Sequence, residues 1–255
     1  MIEFDDLGEP LPLRRRPTAV VSLVPSLTEA IERTVPGVLV GATDYCVHPS
    51  TLDVERIGGS KYPRCADILT LRPDLVVANV EENRPEDVDT LRANGVPVWV
   101  TRAPVDVPDA LGVLRRLFGK AFDVPEPDWL LTAELTWQHV EPLWASAIVP
   151  VWRRPWVVLG RDTFAGDVLR RVGVANAYAG HQERYPRPAL DELRAELAAG
   201  RADLVVLPDE PYEFTAEDGP DAFPGARCVL LPGRYLTWWG PSLVAARDVV
   251  SAKLR

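Results

Sequence analysis

The chain has 255 residues, 47% of them hydrophobic, enough apolar surface for one large core or two modest ones. Its 28 Lys+Arg stand against 37 Asp+Glu, a formal net charge of -9 at pH 7, and that balance excludes the basic face of a nucleic-acid-binding protein. No stretch approaches the roughly 18 uninterrupted apolar residues of a membrane span, so none is expected. The start, Met1 to Gly8, lacks the basic residues and apolar run of a secretory signal. As written the sequence reads as cytoplasmic, and as periplasmic or extracellular if an export segment precedes it. Cys46, Cys65 and Cys228 form no CxxC pair, which points to buried free thiols rather than a disulfide framework or structural zinc.

In chain order, short Val-rich runs predict strands at 19–24, 38–42, 75–79, 96–101, 156–160, 203–207 and 227–231. Helical segments such as Arg84 to Ala93 and Pro188 to Ala199 lie between them. Alternating strand and helix predicts α/β architecture with parallel sheets. The pattern is stated twice: Pro73-Asp-Leu-Val-Val-Ala-Asn-Val-Glu81 is echoed by Ala202-Asp-Leu-Val-Val-Leu-Pro-Asp-Glu210. Val20 to Val24 runs through a turn into a helix as Trp156 to Gly160 does, and Gly95 to Val100 closes the first half as Gly225 to Leu231 closes the second. Two similar Rossmann-like lobes are therefore expected, 1–122 and 150–255, with a ligand cleft between them at the carboxyl ends of the strands.

Between the lobes, 123–149 is expected to be a connector. Leu130, Ala133, Trp137, Val140, Trp144 and Ala147 recur at spacings of three and four, which predicts one amphipathic helix over Asp128 to Ala147, roughly 30 Å long. Pro142 predicts a kink near Gln138 to Glu141.

Asp5-Asp-Leu-Gly-Glu-Pro-Leu-Pro-Leu13, Val20-Val-Ser-Leu-Val-Pro-Ser-Leu-Thr-Glu-Ala30, Gly58-Gly-Ser-Lys61 and Ile68-Leu-Thr-Leu-Arg-Pro-Asp-Leu-Val-Val77 together resemble the helical-backbone (class III) substrate-binding proteins. That family includes the cobalamin receptor of an ABC importer and receptors for ferric siderophores and haem. The resemblance covers nearly the whole chain. It implies two α/β lobes joined by one long helix, a corrinoid or metal chelate as ligand, an ABC permease as partner, and exposed acids that dock on that permease.

Candidate contact residues follow from their places. Pro25 and Ser26 open a helix whose free N–H groups attract an anionic group; plain N-capping by Ser26, with Glu29 completing a capping box, is the structural alternative. Tyr45 should project at a strand's carboxyl end and lie flat on a macrocycle. Trp238 and Trp239 form the facing group, one expected toward the ligand and the other inward; packing of both is the alternative. Phe164, Tyr212 and Phe214 add an aromatic edge. Lys61, Arg161 and Arg102 would meet carboxylates or phosphates, or else are solvated charges.

Glu81, Glu82 and Asn83 stand at a strand end equivalent to that of Asp209 and Glu210, where paired acids raise one another's pKa or bind a cation; Glu82 and Asn83 equally suit a solvated helix cap. His48, His139 and His181 are too few for a transition-metal site, so no metal or cofactor is expected to be built by the protein, and any cobalt or iron arrives inside its chelator. No nucleophile elbow, HExxH or phosphate cradle is visible. The expected function is ligand capture by a monomer without catalysis. An enzyme or chaperone handling a tetrapyrrole, and a ligand-free scaffold filled by its own aromatics, are the alternatives.

Overall fold

The computed structural model describes residues 3–13 and 15–255. The chain folds as two compact units, one made of residues up to Ala103 with Leu111–Leu131, the other of Pro104–Ala110 with Thr132–Arg255. No helix among the described residues is long and apolar enough to cross a membrane.

The first unit begins with a two-stranded hairpin, β1 (Glu3–Phe4) against β2 (Pro10–Leu11). There follow β3 (Val20–Ser22), α1 (Pro25–Thr34), β4 (Leu39–Ala42), β5 (Glu55–Arg56), α2 (Cys65–Leu71), β6 (Leu75–Asn79), α3 (Pro85–Ala93) and β7 (Val98–Thr101). The five strands after the hairpin form one parallel sheet in the order β5-β4-β3-β6-β7. Continuous apolar runs are what a parallel sheet covered on both faces requires, and β3 and β6 are buried throughout. Val21, Leu23, Ile68, Val76, Leu91 and Val98 pack into one core.

The amino-terminal segment is tied to this unit by two buried carboxylates, Asp5 and Asp6, the latter accepting from Arg116 Nε at 2.7 Å. Asp5, whose side chain is fully buried, accepts hydrogen bonds from the backbone N–H of Leu7 and Glu9 (2.9 Å each), from Arg92 (2.8 Å) and from Val100 N–H (3.2 Å).

The chain continues through α4 (Val107–Arg116), a π-helical turn at Leu117–Ala121, and α5 (Asp128–Trp137). The single helix expected over Asp128 to Ala147 is thus ten residues long and does not kink but ends. Pro142 supplies no N–H and disfavours helical backbone at Glu141. The N–H of Glu141 donates instead to Arg171 O (3.0 Å) and that of Trp144 to Gly173 O (2.9 Å). Guanidinium groups close the helix end: Arg171 donates to Trp137 O (2.6 Å) and Arg247 to His139 O (2.8 Å), where cations favour the exposed carbonyls.

The second unit then runs β8 (Ala145–Ile148), β9 (Pro150–Trp152), β10 (Val157–Val158), α6 (Phe164–Arg171), β11 (Val174–Asn176), α7 (Leu190–Ala198), β12 (Leu204–Pro208), β13 (Cys228–Leu231), α8 (Arg234–Thr237) and α9 (Leu243–Leu254). Its main sheet is parallel, in the order β11-β8-β12-β13. The run at 156–160 does not join that sheet; only Val157–Val158 is strand, in an antiparallel hairpin with β9. The counterpart of β3 is β8, read from sequence as helix because Trp144 and Ala147 continue the three-and-four spacing. In both sheets this strand lies beside the one that carries the repeat. Trp156 anchors the hairpin in the core, stacked on Phe214 (6.1 Å between centroids, planes 6° apart) and edge-on to Phe223 (5.4 Å).

The sequence repeat has a physical basis. Asp74 accepts hydrogen bonds from Thr18 N–H (3.0 Å), Thr18 Oγ1 (2.9 Å) and Ala19 N–H (3.3 Å). Asp203 accepts them from Ser146 N–H (2.7 Å) and Ser146 Oγ (3.1 Å). Each aspartate just before the repeated strand fastens the start of the neighbouring strand. These bonds hold the Asp74 carboxyl below its ordinary value, chiefly through Thr18. Asp74→Ala is expected to cost about 1–2 kcal/mol in urea unfolding at neutral pH. Because the folded pKa is depressed, the wild-type advantage is complete above the ordinary value of 3.8 and shrinks as pH falls through the folded one.

Candidate ligand-binding site

Parallel α/β sheets bind ligands outside the carboxyl ends of their strands, and each unit places its candidate residues there. In the first unit, α1 starts directly after β3. Its N-cap is Val24, in extended conformation, and Pro25 occupies the first turn, where a missing N–H costs nothing. Ser26 therefore caps nothing, which removes the capping-box alternative. It is buried, and its Oγ has no hydrogen-bond partner.

The loop after β4 is fixed on every side except that of its aromatic ring. Cys46 Sγ lies 3.0 Å from Thr28 Oγ1 and 3.1 Å from Thr43 Oγ1, and burial pushes its thiol pKa up. Arg56 donates to Thr43 O (3.0 Å) and Cys46 O (2.9 Å), and Asp44 N–H to Gly58 O (2.9 Å). Tyr45, between these anchors, is 65% exposed. A Cβ on Gly59 would meet Tyr45 Cε2 at 3.4 Å, so the ring rests over that glycine. Beyond it stands Tyr62, 71% exposed, under the guanidinium of Arg84 at 4.7 Å. In sequence, Tyr62 is marked only by its place next to Gly58-Gly-Ser-Lys61. Lys61 donates to Glu81 O at 2.5 Å.

Two asparagines hold this rim together. Asn79, the last residue of β6, donates from Nδ2 to Thr101 Oγ1 (3.0 Å) and Arg102 O (3.2 Å), and its Oδ1 accepts from Glu81 N–H (2.9 Å) and Glu82 N–H (3.3 Å). Asn83 Oδ1 accepts from Asn79 N–H (2.8 Å), while its Nδ2 donates to Leu23 O (3.2 Å) and Ser60 O (2.9 Å). The solvated capping role considered for Asn83 is thus replaced by a buried bridge between loops, because α3 takes Arg84 as its N-cap.

In the second unit, Asn176 at the end of β11 does similar work, donating to Leu159 O (3.0 Å) and Gly160 O (2.8 Å). Phe164, Phe214, Trp238 and Trp239 are all buried, so neither indole forms the open stacking face expected of one of them. Trp238 is drawn inward by its N–H, which donates to Glu210 Oε2 at 2.6 Å. Arg161 pairs with its neighbour Asp162 (2.6 Å). Tyr212 is half-buried, its hydroxyl donating to Asp218 Oδ2 (2.5 Å) and its ring edge-on to Trp152 (5.6 Å). Trp152, on the β9–β10 hairpin, is 46% exposed. A cavity of about 890 Å³, lined by Tyr178, His181, Glu183, Tyr185, Glu192 and Glu196 among others, opens beside the segment after β11. Among the described residues, His48 and His139 take no part in any group of three metal-ligating side chains, and no such group occurs.

Burial raises the Glu210 carboxyl pKa, with Asp209 adding to the effect and the Trp238 N–H opposing it. Desolvation therefore leads, rather than the paired-acid repulsion expected from sequence.

No family model matches the chain. The vitamin B12-binding protein of Vibrio cholerae is 23% identical over 198 residues, which span 73% of this chain and 69% of that protein. A periplasmic haem-binding protein from Pseudomonas aeruginosa superposes with a TM-score of 0.73 at 23% identity, covering 92% of each chain. Helicobacter pylori CeuE, solved with Ni(II) bound, gives 0.79 at 15% identity, covering 99% of this chain and 88% of its own. These are binding proteins, and at such identities the structural matches establish a shared fold.

Asn79→Ala would strand the polar groups of both the turn after β6 and the end of β7. It is expected to cost about 2–3 kcal/mol in denaturant unfolding, and more than Glu81→Ala at a half-buried rim position. Equal losses from the two changes would show that Asn79 does not organise the rim.

Proposed function

We propose that this chain, which has the fold of the helical-backbone (class III) substrate-binding proteins, captures a corrinoid or another metal chelate for ABC-type uptake. The observation that carries the reading is the aromatic rim of the first unit: Tyr45 and Tyr62 are 65% and 71% exposed, while the backbone around Tyr45 is fastened by buried hydrogen bonds. An exposed ring on a rigid loop presents apolar area at little entropic cost, which suits the flat face of a macrocycle.

The names of the relatives, which bind vitamin B12, haem or nickel, support a ligand of this class. On this reading the cobalt or iron enters inside its chelate, the protein acts outside the cytoplasmic membrane as a monomer, and the partner is a permease. Chemistry is not asked of the residues here; the rim's task is to bind and orient.

Titration with cyanocobalamin, hemin and a ferric siderophore, followed by tryptophan fluorescence corrected for ligand absorbance, tests this. Saturable quenching by one ligand is expected, with affinity reduced roughly tenfold in Tyr45→Ala, the equivalent of about 1.4 kcal/mol. Absence of saturation by all three overturns the reading, and an unchanged affinity in Tyr45→Ala removes the rim from it.

A further inference from the structure

Glu210, in the loop after β12, is half-buried and bonded to the N–H of a buried indole. It follows β12 directly, and its Oε2 takes the indole N–H of Trp238 at 2.6 Å. Trp238 is the C-cap of α8, so this bond joins the loop after β12 to the segment after β13. A second tie runs parallel to it, from Gly233 N–H to Asp209 Oδ1 at 2.6 Å. The two loops touch: a Cβ on Gly233 would come within 2.6 Å of Glu210 Cβ and 2.7 Å of its backbone nitrogen. Arg234 lies over the Trp238 ring at 5.9 Å and over Tyr235 at 5.4 Å.

We propose that Glu210 is a positioning residue, a latch whose charge state sets how firmly Trp238 and the segment after β13 are held to the loop after β12.

The direction follows from linkage. With the latch closed, the charges acting on Glu210 are Asp209 on its own loop, which disfavours ionisation, and Arg234 of α8, which favours it; burial outweighs the rest and raises the pKa. With the latch open, Glu210 is solvated and returns toward its ordinary value of 4.5. The state with the higher pKa is the one that protonation favours. The closed latch is therefore most stable below the open-state pKa and loses that advantage as pH rises through the closed-state one. A neutral carboxyl still offers its carbonyl oxygen to the indole N–H, so protonation keeps the bond while removing the cost of a buried charge. The inference concerns the unliganded protein and does not depend on which ligand it takes.

The test follows the indole N–H signal of Trp238, assigned by its loss in Trp238→Phe, by 1H–15N NMR from about pH 4 to about pH 8. A titration step centred above the ordinary glutamate value is expected in the wild type. In Glu210→Gln, an isosteric and permanently neutral acceptor, the step is expected to vanish, with the signal staying at its low-pH position throughout. No step in the wild type, or a step that survives in Glu210→Gln, overturns the proposal. The indole signals of Trp99 and Trp137, which report on the two cores, verify that the variants remain folded.

Discussion

The carboxamide of Asn79 is the constraint on which the carboxyl-end rim of the first unit depends. A parallel sheet satisfies its strands laterally but leaves the loops at their carboxyl ends to find partners of their own. Asn79 answers this with one side chain, bonding toward the end of β7 on one side and to the turn after β6 on the other. Asn83 extends the same network to the segment after β3 and to Ser60. Buried, fully satisfied networks of this kind rigidify what they join. Asn176 and Asp209 apply the solution to the second unit with fewer bonds.

Rigidity of the loops decides which aromatics are available. Around Tyr45 the polar groups of Cys46, Thr43 and Arg56 are committed inward, and the ring is left in solvent. Around Trp238 the reverse holds, because its N–H finds a carboxylate within the fold. Aromatic residues beyond the carboxyl ends of strands in the two units thus have opposite fates, set by where their polar atoms are satisfied.

Acids of the second unit are likewise shifted by their local partners rather than by formal charge. Asp221 is held down to about 2, principally by the Arg153 guanidinium, and that ion pair fastens the hairpin bearing Trp152. Glu210 moves the other way because its surroundings remove water without supplying an equally close cation.

The α/β class, the doubling of the fold and the strand at Leu75–Asn79 are legible in the amino-acid order, since buried Val-rich runs and a repeated Asp-Leu-Val-Val have few other uses. It also nominated Tyr45, because a tyrosine following a short strand in a parallel sheet falls on the carboxyl-end rim. Spacing alone did not place the end of α5: Trp144 and Ala147 fit a helical period, yet β8 draws that stretch into a sheet by pairing on both sides with β11 and β12. Nor did it show that Trp238 turns inward or that Asn83 bridges loops. Those outcomes depend on hydrogen-bond partners many residues distant, Glu210 for Trp238 and Leu23 for Asn83. Such partners come within reach only after the strands have packed, so local sequence cannot encode them and the tertiary structure decides.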